Sequence, residues 1–106
     1  MILKTPAKIN FGLQILSKRP DGFHELETVL QMVALFDEME FFAGDGEIKL
    51  ICDKPGIPED ENNLVFKAAK ILREKFPEKA RSGVKIRLKK VIPAGAGLGG
   101  GSGNAA

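Results

Sequence analysis

The chain has 106 residues, of which 43% are hydrophobic and 28% charged, the balance of a globular protein with one core. Sixteen Lys and Arg against fourteen Asp and Glu leave a net charge of +2, too small to indicate a nucleic acid or membrane partner. We expect neither a membrane span nor a signal peptide, because no suitable apolar run occurs. The single cysteine, Cys52, excludes an internal disulfide and a cysteine-based metal cluster, so we expect a cytoplasmic location and a packing role for Cys52.

The first predicted element is a β-strand over residues 7–16, where apolar and polar side chains alternate with a period of two. Lys8 and Asn10 fall on one face of this strand, roughly 7 Å apart. A turn follows at Ser17–Gly22, since Pro, Asp and Gly there have the backbone preferences of a turn. Residues 23–36 predict one long strand, or two strands with a bend.

The next segments predict a β-hairpin and then a loop. Asp37–Ala43 and Glu47–Cys52 are strand-like and flank Gly44-Asp45-Gly46, a short glycine-rich connection. Pro55-Gly56 breaks the chain after the second strand. Asp53, Asp60 and Glu61 are better explained by this loop and a helix start than by a carboxylate cluster.

A helix is the clearest element, because acidic residues, a cap and an apolar stripe follow one another. Asn62 or Asn63 can serve as its N-cap, and Pro77 ends it. The apolar stripe at helical spacing should face the core; it consists of Leu64, Ala68, Ile71, Leu72 and Phe76.

A last strand and a glycine-rich block complete the chain. Val84, Ile86 and Leu88 alternate with basic residues, which predicts a strand reaching about Ile92, before Pro93. Six of the twelve glycines fall within residues 95–106, as in a flexible tail or a phosphate-binding loop. We therefore expect a single α+β unit: a mainly antiparallel sheet, one clear helix, and a glycine-rich loop that opens a second helix. Ser102 and Asn104 indicate the opening of that helix.

The glycine block admits several interpretations. Residues 95–100 match G-x-G-x-x-G, but dinucleotide binding also needs a parallel βαβ unit and an acidic residue about twenty positions later. The chain ends before that position, and the earlier strands look antiparallel. A Walker A loop is excluded, because no Lys-Ser or Lys-Thr pair follows the glycines.

The longer string Pro93–Ala106 (PAGAGLGGGSGNAA) resembles the phosphate loop of the GHMP small-molecule kinases. Glycines let backbone N–H groups approach a triphosphate, and a helix that begins after them directs its positive dipole at the anion. Three further segments are similar to one branch of that family, which phosphorylates a cytidine diphosphate polyol: Pro6–Asn10, Pro20–Leu26 and Asn63–Ala69. The resemblance covers nearly the whole chain and implies the N-terminal part of a GHMP-kinase fold.

For the acceptor substrate, the resemblance implies four residues. Lys8 would lie near the acceptor hydroxyl. The alternation of the strand alone is equally compatible with a solvent-exposed lysine that has no such role. Asn10 would be its polar neighbour, and His24 would read the cytosine edge, although a lone histidine is more often a surface residue. Phe23 replaces the usual Tyr of the family, so it can stack on the pyrimidine without donating a hydroxyl.

For ATP, the resemblance implies contacts from three places. Asn63 would contact adenine, with Leu64 and Val65 lining the pocket, although the residues alone favour a plain N-cap for Asn63. Lys90 would be a basic residue near the nucleotide, with a solvated strand end as the alternative. The remaining contacts would come from the loop itself: Pro93, Ala94, Gly95, Ala96, Gly97, Leu98, Gly99, Gly100, Gly101, Ser102, Gly103 and Asn104. Gly103 stands where the family commonly has a second Ser.

The function implied is ATP-dependent phosphorylation of an alcohol in isoprenoid precursor synthesis, with Mg²⁺ bridging phosphate oxygens and no protein metal site. The family's general base, an Asp, belongs to a later motif, so we expect the chain to be truncated and inactive alone. Another GHMP kinase acting on mevalonate, phosphomevalonate, homoserine or a sugar is the first alternative. A non-catalytic nucleotide-binding module or fragment is the second, and a homodimer stays open. Any of the kinase interpretations requires the Lys8 amine and the loop amides to share one cleft.

Overall fold

The described residues fold into a four-stranded sheet with helices on one face. The computed structural model describes residues 1–18, 20–21 and 24–106, with side chains at 1–9, 20–21 and 30–106. Within these residues the elements are β1 (Ile2–Lys18), β2 (His24–Ala43), β3 (Ile48–Cys52), α1 (Leu64–Lys75), β4 (Val84–Lys89) and α2 (Gly100–Ala105). The α+β architecture is as the sequence predicts.

The strand order is β1-β2-β4-β3, which corrects the predicted hairpin between β2 and β3. β2 pairs antiparallel with both β1 and β4, whereas β3 pairs in parallel with β4. β4 therefore lies between the two strands that were expected to pair, and α1 makes the crossover of a βαβ unit. Periodicity identified both segments as strands but did not show which strand each one pairs with. β4 forms backbone hydrogen bonds with both of them.

The long first ribbon brings the start of the chain beside its end. β1 and β2 pair along most of their length, and the register shifts between Pro6 and Ala7, where Pro6 faces Phe36 but Ala7 faces Val33. The irregularity lies within the segment predicted to be one long strand or two with a bend. The structure has one strand there, and that strand also includes Asp37–Ala43, which was predicted as a separate hairpin strand. The turn after β1 is described only at Pro20 and Asp21.

The core lies between the sheet and α1. Five buried residues form it, and Cys52 is among the half-buried side chains that pack against it, which confirms its packing role. Burying a large apolar side chain contributes about 1.5–3 kcal/mol, so this cluster is the main apolar stabilisation of the described chain. Its members are Met39, Leu50, Val65, Ile86 and Leu88.

Helix α1 begins and ends as predicted but faces the sheet with a different side. Asn63 is its N-cap, and its side-chain oxygen accepts from the Val65 N–H at 2.9 Å. Val65 is buried, whereas most of the predicted stripe is exposed, with Leu72 at 58% and Ile71 at 52%. Apolar side chains occupy two adjacent faces of α1, and the sheet covers only one of them. Neither helix of the described chain has the length and apolar character needed to cross a membrane.

Candidate functional site

The site is built where the chain leaves the sheet after β4. The strand ends at Lys89, three residues before the predicted end, because carboxylates replace the ladder partners of the next amides. Asp53 accepts from the Lys90 N–H at 2.8 Å, and one oxygen of Asp37 accepts from the N–H groups of Val91 and Ile92 at 2.7 and 2.8 Å. An unpaired buried amide costs about 1–3 kcal/mol, so these bonds stabilise the exit from the sheet.

The second oxygen of Asp37 forms a buried ion pair with Lys90. The Lys90 Nζ lies 2.5 Å from Asp37 Oδ2, and the exposed fractions of the two residues are 8% and 0%. Burial by itself would raise the pKa of Asp37, but the Lys90 ammonium and the amides of Ile92 and Val91 hold that pKa below its usual value. The carboxylate is therefore charged and fully engaged at neutral pH.

The network continues from Lys90 into α2 and back to β1. Lys90 Nζ also donates to Asn104 Oδ1 at 3.2 Å, and Asn104 Nδ2 donates to the Thr5 hydroxyl at 2.7 Å. Asn104 is itself buried. The residues before and after the glycine loop are thus joined through side chains beneath it.

The loop itself has the backbone geometry that glycine allows. Gly95, Gly97 and Gly99 have φ values of +69°, +73° and +70°, a region that other residues rarely adopt. At Gly100 an added Cβ would lie 2.9 Å from Lys90 Nζ and 2.9 Å from Cγ2 of Ile92. The first half of the block requires glycine for its backbone angles, and Gly100 requires it for space.

Lys8 lies directly against this loop. β1 is an edge strand, and on its free side the Lys8 N–H donates to the Leu98 carbonyl at 2.8 Å. A Cβ added to Gly99 would lie 3.6 Å from Lys8 Cε, so the end of the lysine side chain lies beside Gly99, whereas Lys8 is not among the residues that line the cleft formed by the loop. The structure therefore brings together the lysine and the glycine loop, which the sequence separates by some ninety residues.

The loop forms one wall of a cleft of about 310 Å³. Asn63 and Leu64 at the start of α1 also line this cleft, together with Ile57, Pro58 and Asn62, whose place in it sequence reasoning missed. The Asn63 side chain also donates to the Pro58 carbonyl at 2.9 Å, so its cap function and its place at the cleft coexist. Most of the residues expected to contact a nucleotide line this cleft: Asn63, Leu64, Lys90, Pro93, Ala94, Gly95, Ala96, Gly97, Leu98, Gly99, Gly100, Gly101, Ser102 and Asn104.

Three expectations for this region are corrected. Val65 lies in the apolar core rather than in the cleft, because α1 turns that face to the sheet. Gly103 faces Pro6 and Thr5 of β1. Its N–H donates to the Gly99 carbonyl at 2.9 Å, so this amide is not free to donate to a phosphate. The second helix forms, but it begins at Gly100, with Gly99 as N-cap and no side-chain capping bond from Ser102 or Asn104.

The residues expected to bind the acceptor are only partly described. The backbone of Asn10 lies in β1 opposite Leu30, and His24 begins β2, but both side chains fall outside the described ones. Phe23 lies outside the described residues altogether. Their roles stay predictions.

Comparison with known proteins places the chain in a family. The model of the GHMP kinases N terminal domain matches residues 63–106, which include the helix start, the loop and α2. A curated protein of Acaryochloris marina, 4-diphosphocytidyl-2-C-methyl-D-erythritol kinase, is 51% identical over 98% of this chain and 33% of its own length. The protein of the same name in Clostridium beijerinckii is 46% identical over 100% of this chain and 37% of its own length.

The chain belongs to the GHMP kinase family. A crystal structure of a 4-(cytidine 5'-diphospho)-2C-methyl-D-erythritol kinase matches 99% of this chain and 37% of its own, with a TM-score of 0.78 and 37% identity. The fold of this GHMP kinase chain is therefore shared with a solved member. The chain spans about a third of the length of the curated relatives that it matches.

Sequence reasoning missed the residues that support the GHMP kinase loop from below. Asp37 was assigned to a strand and Asp53 to a loop, Thr5 was assigned to no element, and none of the three had a role at the site. One signal was available for Asp37, since alternation places it on the strand face of the apolar Met39 and Phe41, whereas Glu38 and Glu40 fall on the other face. A charged residue in an otherwise buried strand is rare unless it is paired. No pattern identified Lys90 as its partner, because 53 residues separate them.

Proposed function

We propose that the chain supplies the N-terminal, ATP-binding part of a kinase that phosphorylates the 2-hydroxyl of 4-diphosphocytidyl-2-C-methyl-D-erythritol, in non-mevalonate isoprenoid precursor synthesis. The names of the relatives support the acceptor, and the family supports ATP as the phosphoryl donor. The single observation that carries the proposal is the contact of Lys8 with the glycine loop through Leu98 and Gly99.

The chemistry that this arrangement can perform is positioning and charge stabilisation. Phosphoryl transfer asks a protein chiefly to hold its reactants in line and to stabilise charge on the transferred group. Loop amides between Gly95 and Ser102 would hold the β- and γ-phosphates, while Asn63 and Leu64 in the same cleft would contact the adenine. The Lys8 ammonium would offset negative charge that develops beside the acceptor hydroxyl.

The donor set of the cleft fits a nucleotide that brings its own Mg²⁺. Among the described residues that line it, none is Asp or Glu, and the Ser102 hydroxyl and asparagine amides supply the side-chain oxygens. Mg²⁺ prefers carboxylate or phosphate oxygens, so phosphates would be its main ligands here, with Ser102 as the available side chain. The ion would neutralise phosphate charge.

We further propose that residues 1–106 form one ATP-binding unit and that transfer needs residues that the relatives carry outside the matching third. The family's general base would be among them. The other partners proposed are small molecules only, and a cytoplasmic location agrees with the lone, packed Cys52.

ATP binding by the 106-residue chain is the first test. Calorimetric titration with Mg-ATP should give saturable heat for the wild type and a weaker affinity for Gly97→Val, which forces a branched side chain into a positive-φ position. Gly46→Val, at another positive-φ glycine in the β2–β3 connection, is the matched control and should bind normally. A folded chain that binds no ATP would contradict the nucleotide half of the proposal.

Phosphoryl transfer is tested in a hybrid in which this chain replaces the matching segment of the Clostridium beijerinckii relative. ATP consumption should depend on the cytidine diphosphate polyol and not on mevalonate. Lys8→Ala should lower turnover about 10²–10³-fold, the range for loss of one charge-stabilising group. Lys4→Ala, four residues earlier on β1, is the control and should leave turnover unchanged. Equal turnover in the two variants would remove Lys8 from the mechanism. The isolated chain should show no substrate-dependent turnover above its own Lys8→Ala variant.

A further inference from the structure

The glycine loop has almost no side chains of its own with which to hold its position. Of residues 93–103, six are glycine, two are alanine, and the others are Pro93, Leu98 and Ser102. Six glycines give the chain great conformational freedom, which binding would have to remove. Something outside the loop must therefore set the direction of its amides before a nucleotide arrives.

The buried network below the loop meets that need at both ends. Before the loop, Asp37 holds the amides of Val91 and Ile92 and the ammonium of Lys90. After the loop, the same ammonium holds Asn104 in α2. One lysine side chain, paired with the Asp37 carboxylate, thus bridges the entry and the exit of the loop.

The bridge also lies against the loop backbone. Lys90 Nζ is so close to Gly100 that a Cβ there would meet it at 2.9 Å, and Asn104 continues the network to Thr5 of β1. Thr5 lies three residues before Lys8 on the same strand. The loop, α2 and the strand that carries Lys8 are therefore tied to a single buried carboxylate.

We propose that Asp37, acting through Lys90 and Asn104, is a positioning residue that presets the glycine loop and seats it against Lys8. This role rests on the proposed ATP site, since it assigns Lys90 to the support of the loop as well as to the wall of the cleft. Asp37 itself is fully buried and is not among the residues that line the cleft.

Two backbone amides report whether the loop is seated without any nucleotide. The Lys8 N–H is bonded to the Leu98 carbonyl, and the Gly103 N–H to the Gly99 carbonyl, so both exchange with solvent when the loop lifts. The Ile86 amide, in the β3–β4 ladder, reports the stability of the sheet in the same experiment.

The deciding variant is the double substitution Asp37→Asn with Lys90→Met in the 106-residue chain. It removes both buried charges together, which is often neutral for stability, and it leaves an acceptor for the amides of Val91 and Ile92. We expect a melting temperature close to that of the wild type, exchange at Lys8 and Gly103 about tenfold faster, and unchanged exchange at Ile86. Mg-ATP affinity should fall about tenfold or more, because the loop is no longer preset and Lys90 is also lost from the wall of the cleft, so the exchange rates decide the positioning role.

Two further variants keep the test decisive. Asn104→Ala cuts the bridge beyond Lys90 while the ion pair remains, and it should speed exchange at Lys8 and Gly103 even if the double variant fails to fold. Glu61→Gln with Lys70→Met removes an exposed ion pair beside α1 and should change neither amide.

Exchange at Lys8 and Gly103 that stays at the wild-type rate in either network variant would overturn the positioning role. A wild-type chain that folds but binds no Mg-ATP would defeat the proposed function alone, because the exchange rates would still decide whether the network seats the loop.

Discussion

The part of the molecule that α1 covers and the part that carries the glycine loop are held together by different interactions. Around α1 the contacts are apolar, and Ile86 and Val65 are almost fully buried among carbon atoms. Around the loop they are hydrogen bonds and one ion pair, in which every described polar side-chain atom that is buried has a partner. Asp37 and Lys90 are the centre of that second region.

The difference follows from what each part has to specify. Apolar burial is nearly proportional to area and has no preferred direction, so it suits a helix that only needs to lie on a sheet. A loop of glycines has little area to bury, and its proposed task depends on where its amides point. Hydrogen bonds with defined geometry can set such directions, and they do so from the flanking residues.

The largest expected effect contrasts Asp37→Ala with Ile86→Ala. Removing one partner of a buried ion pair costs about 3–5 kcal/mol, and truncating a buried Ile costs about 2–5 kcal/mol. Urea denaturation should therefore show similar losses of unfolding free energy, while only Asp37→Ala accelerates exchange of the Lys8 amide. Asp45→Ala, in the exposed β2–β3 connection, should stay within about 0.5 kcal/mol of the wild type. If Ile86→Ala also frees the Lys8 amide, the two regions are not separate.

The next effect separates two glycines of α2. At Gly100 a methyl group would overlap Ile92 and the Lys90 ammonium, so Gly100→Ala should lose about 1–3 kcal/mol. At Gly103 the nearest atom is the Pro6 carbonyl oxygen at 3.8 Å, an ordinary contact, so Gly103→Ala should gain about 0.5–1 kcal/mol from helix propensity. Thermal unfolding of both variants measures the contrast, and a loss at Gly103 would mean that α2 is seated differently.

Asn63 tests whether one side chain serves both the helix and the cleft. Asn63→Ala should lose about 1 kcal/mol of unfolding free energy, because the Val65 N–H loses its cap. Asn63→Ser restores a capping oxygen and should recover that stability, but it lacks the amide nitrogen that could face a nucleotide. Weaker Mg-ATP affinity in both variants would support the contact with adenine. Normal Mg-ATP affinity in Asn63→Ser would mean that Asn63 serves only as the N-cap of α1.

The smallest effects concern pH. The pKa of Asp37 is lower in the folded chain, so its pairing stabilises the protein above its unfolded pKa of about 4, and this is lost as the pH falls through the lowered value. In Asp37→Asn the free energy of unfolding should depend less on pH in the acidic range. The exposed Glu61 raises the pKa of Lys70, so that pair loses its contribution only as the pH rises through the raised value. Lys70→Met should leave the pH dependence in the acidic range unchanged, and an unaltered dependence in Asp37→Asn would contradict the assignment.

Local patterns in the sequence were sufficient for the elements and for the residues that line the loop side of the cleft. Alternation predicted β4 with Ile86 and Leu88 inward, and the cap and Pro77 bounded α1. Each of these signals is a property of neighbouring residues, so it survives without knowledge of the fold. The glycine block was identified through the resemblance of Pro93–Ala106 to a known phosphate loop, since its composition alone also allows a flexible tail.

Only the tertiary structure decided which strand lies between β2 and β3, which face of α1 is buried, and what holds the loop. Strand pairing and helix orientation depend on surfaces that distant segments offer, and α1 has apolar residues enough for two orientations. The pairing of Asp37 with Lys90 joins residues 53 positions apart, and no spacing rule connects them. The sequence by itself determined the positions of the loop glycines. The packing of the sheet determined that Asp37 and Lys90 meet beneath that loop.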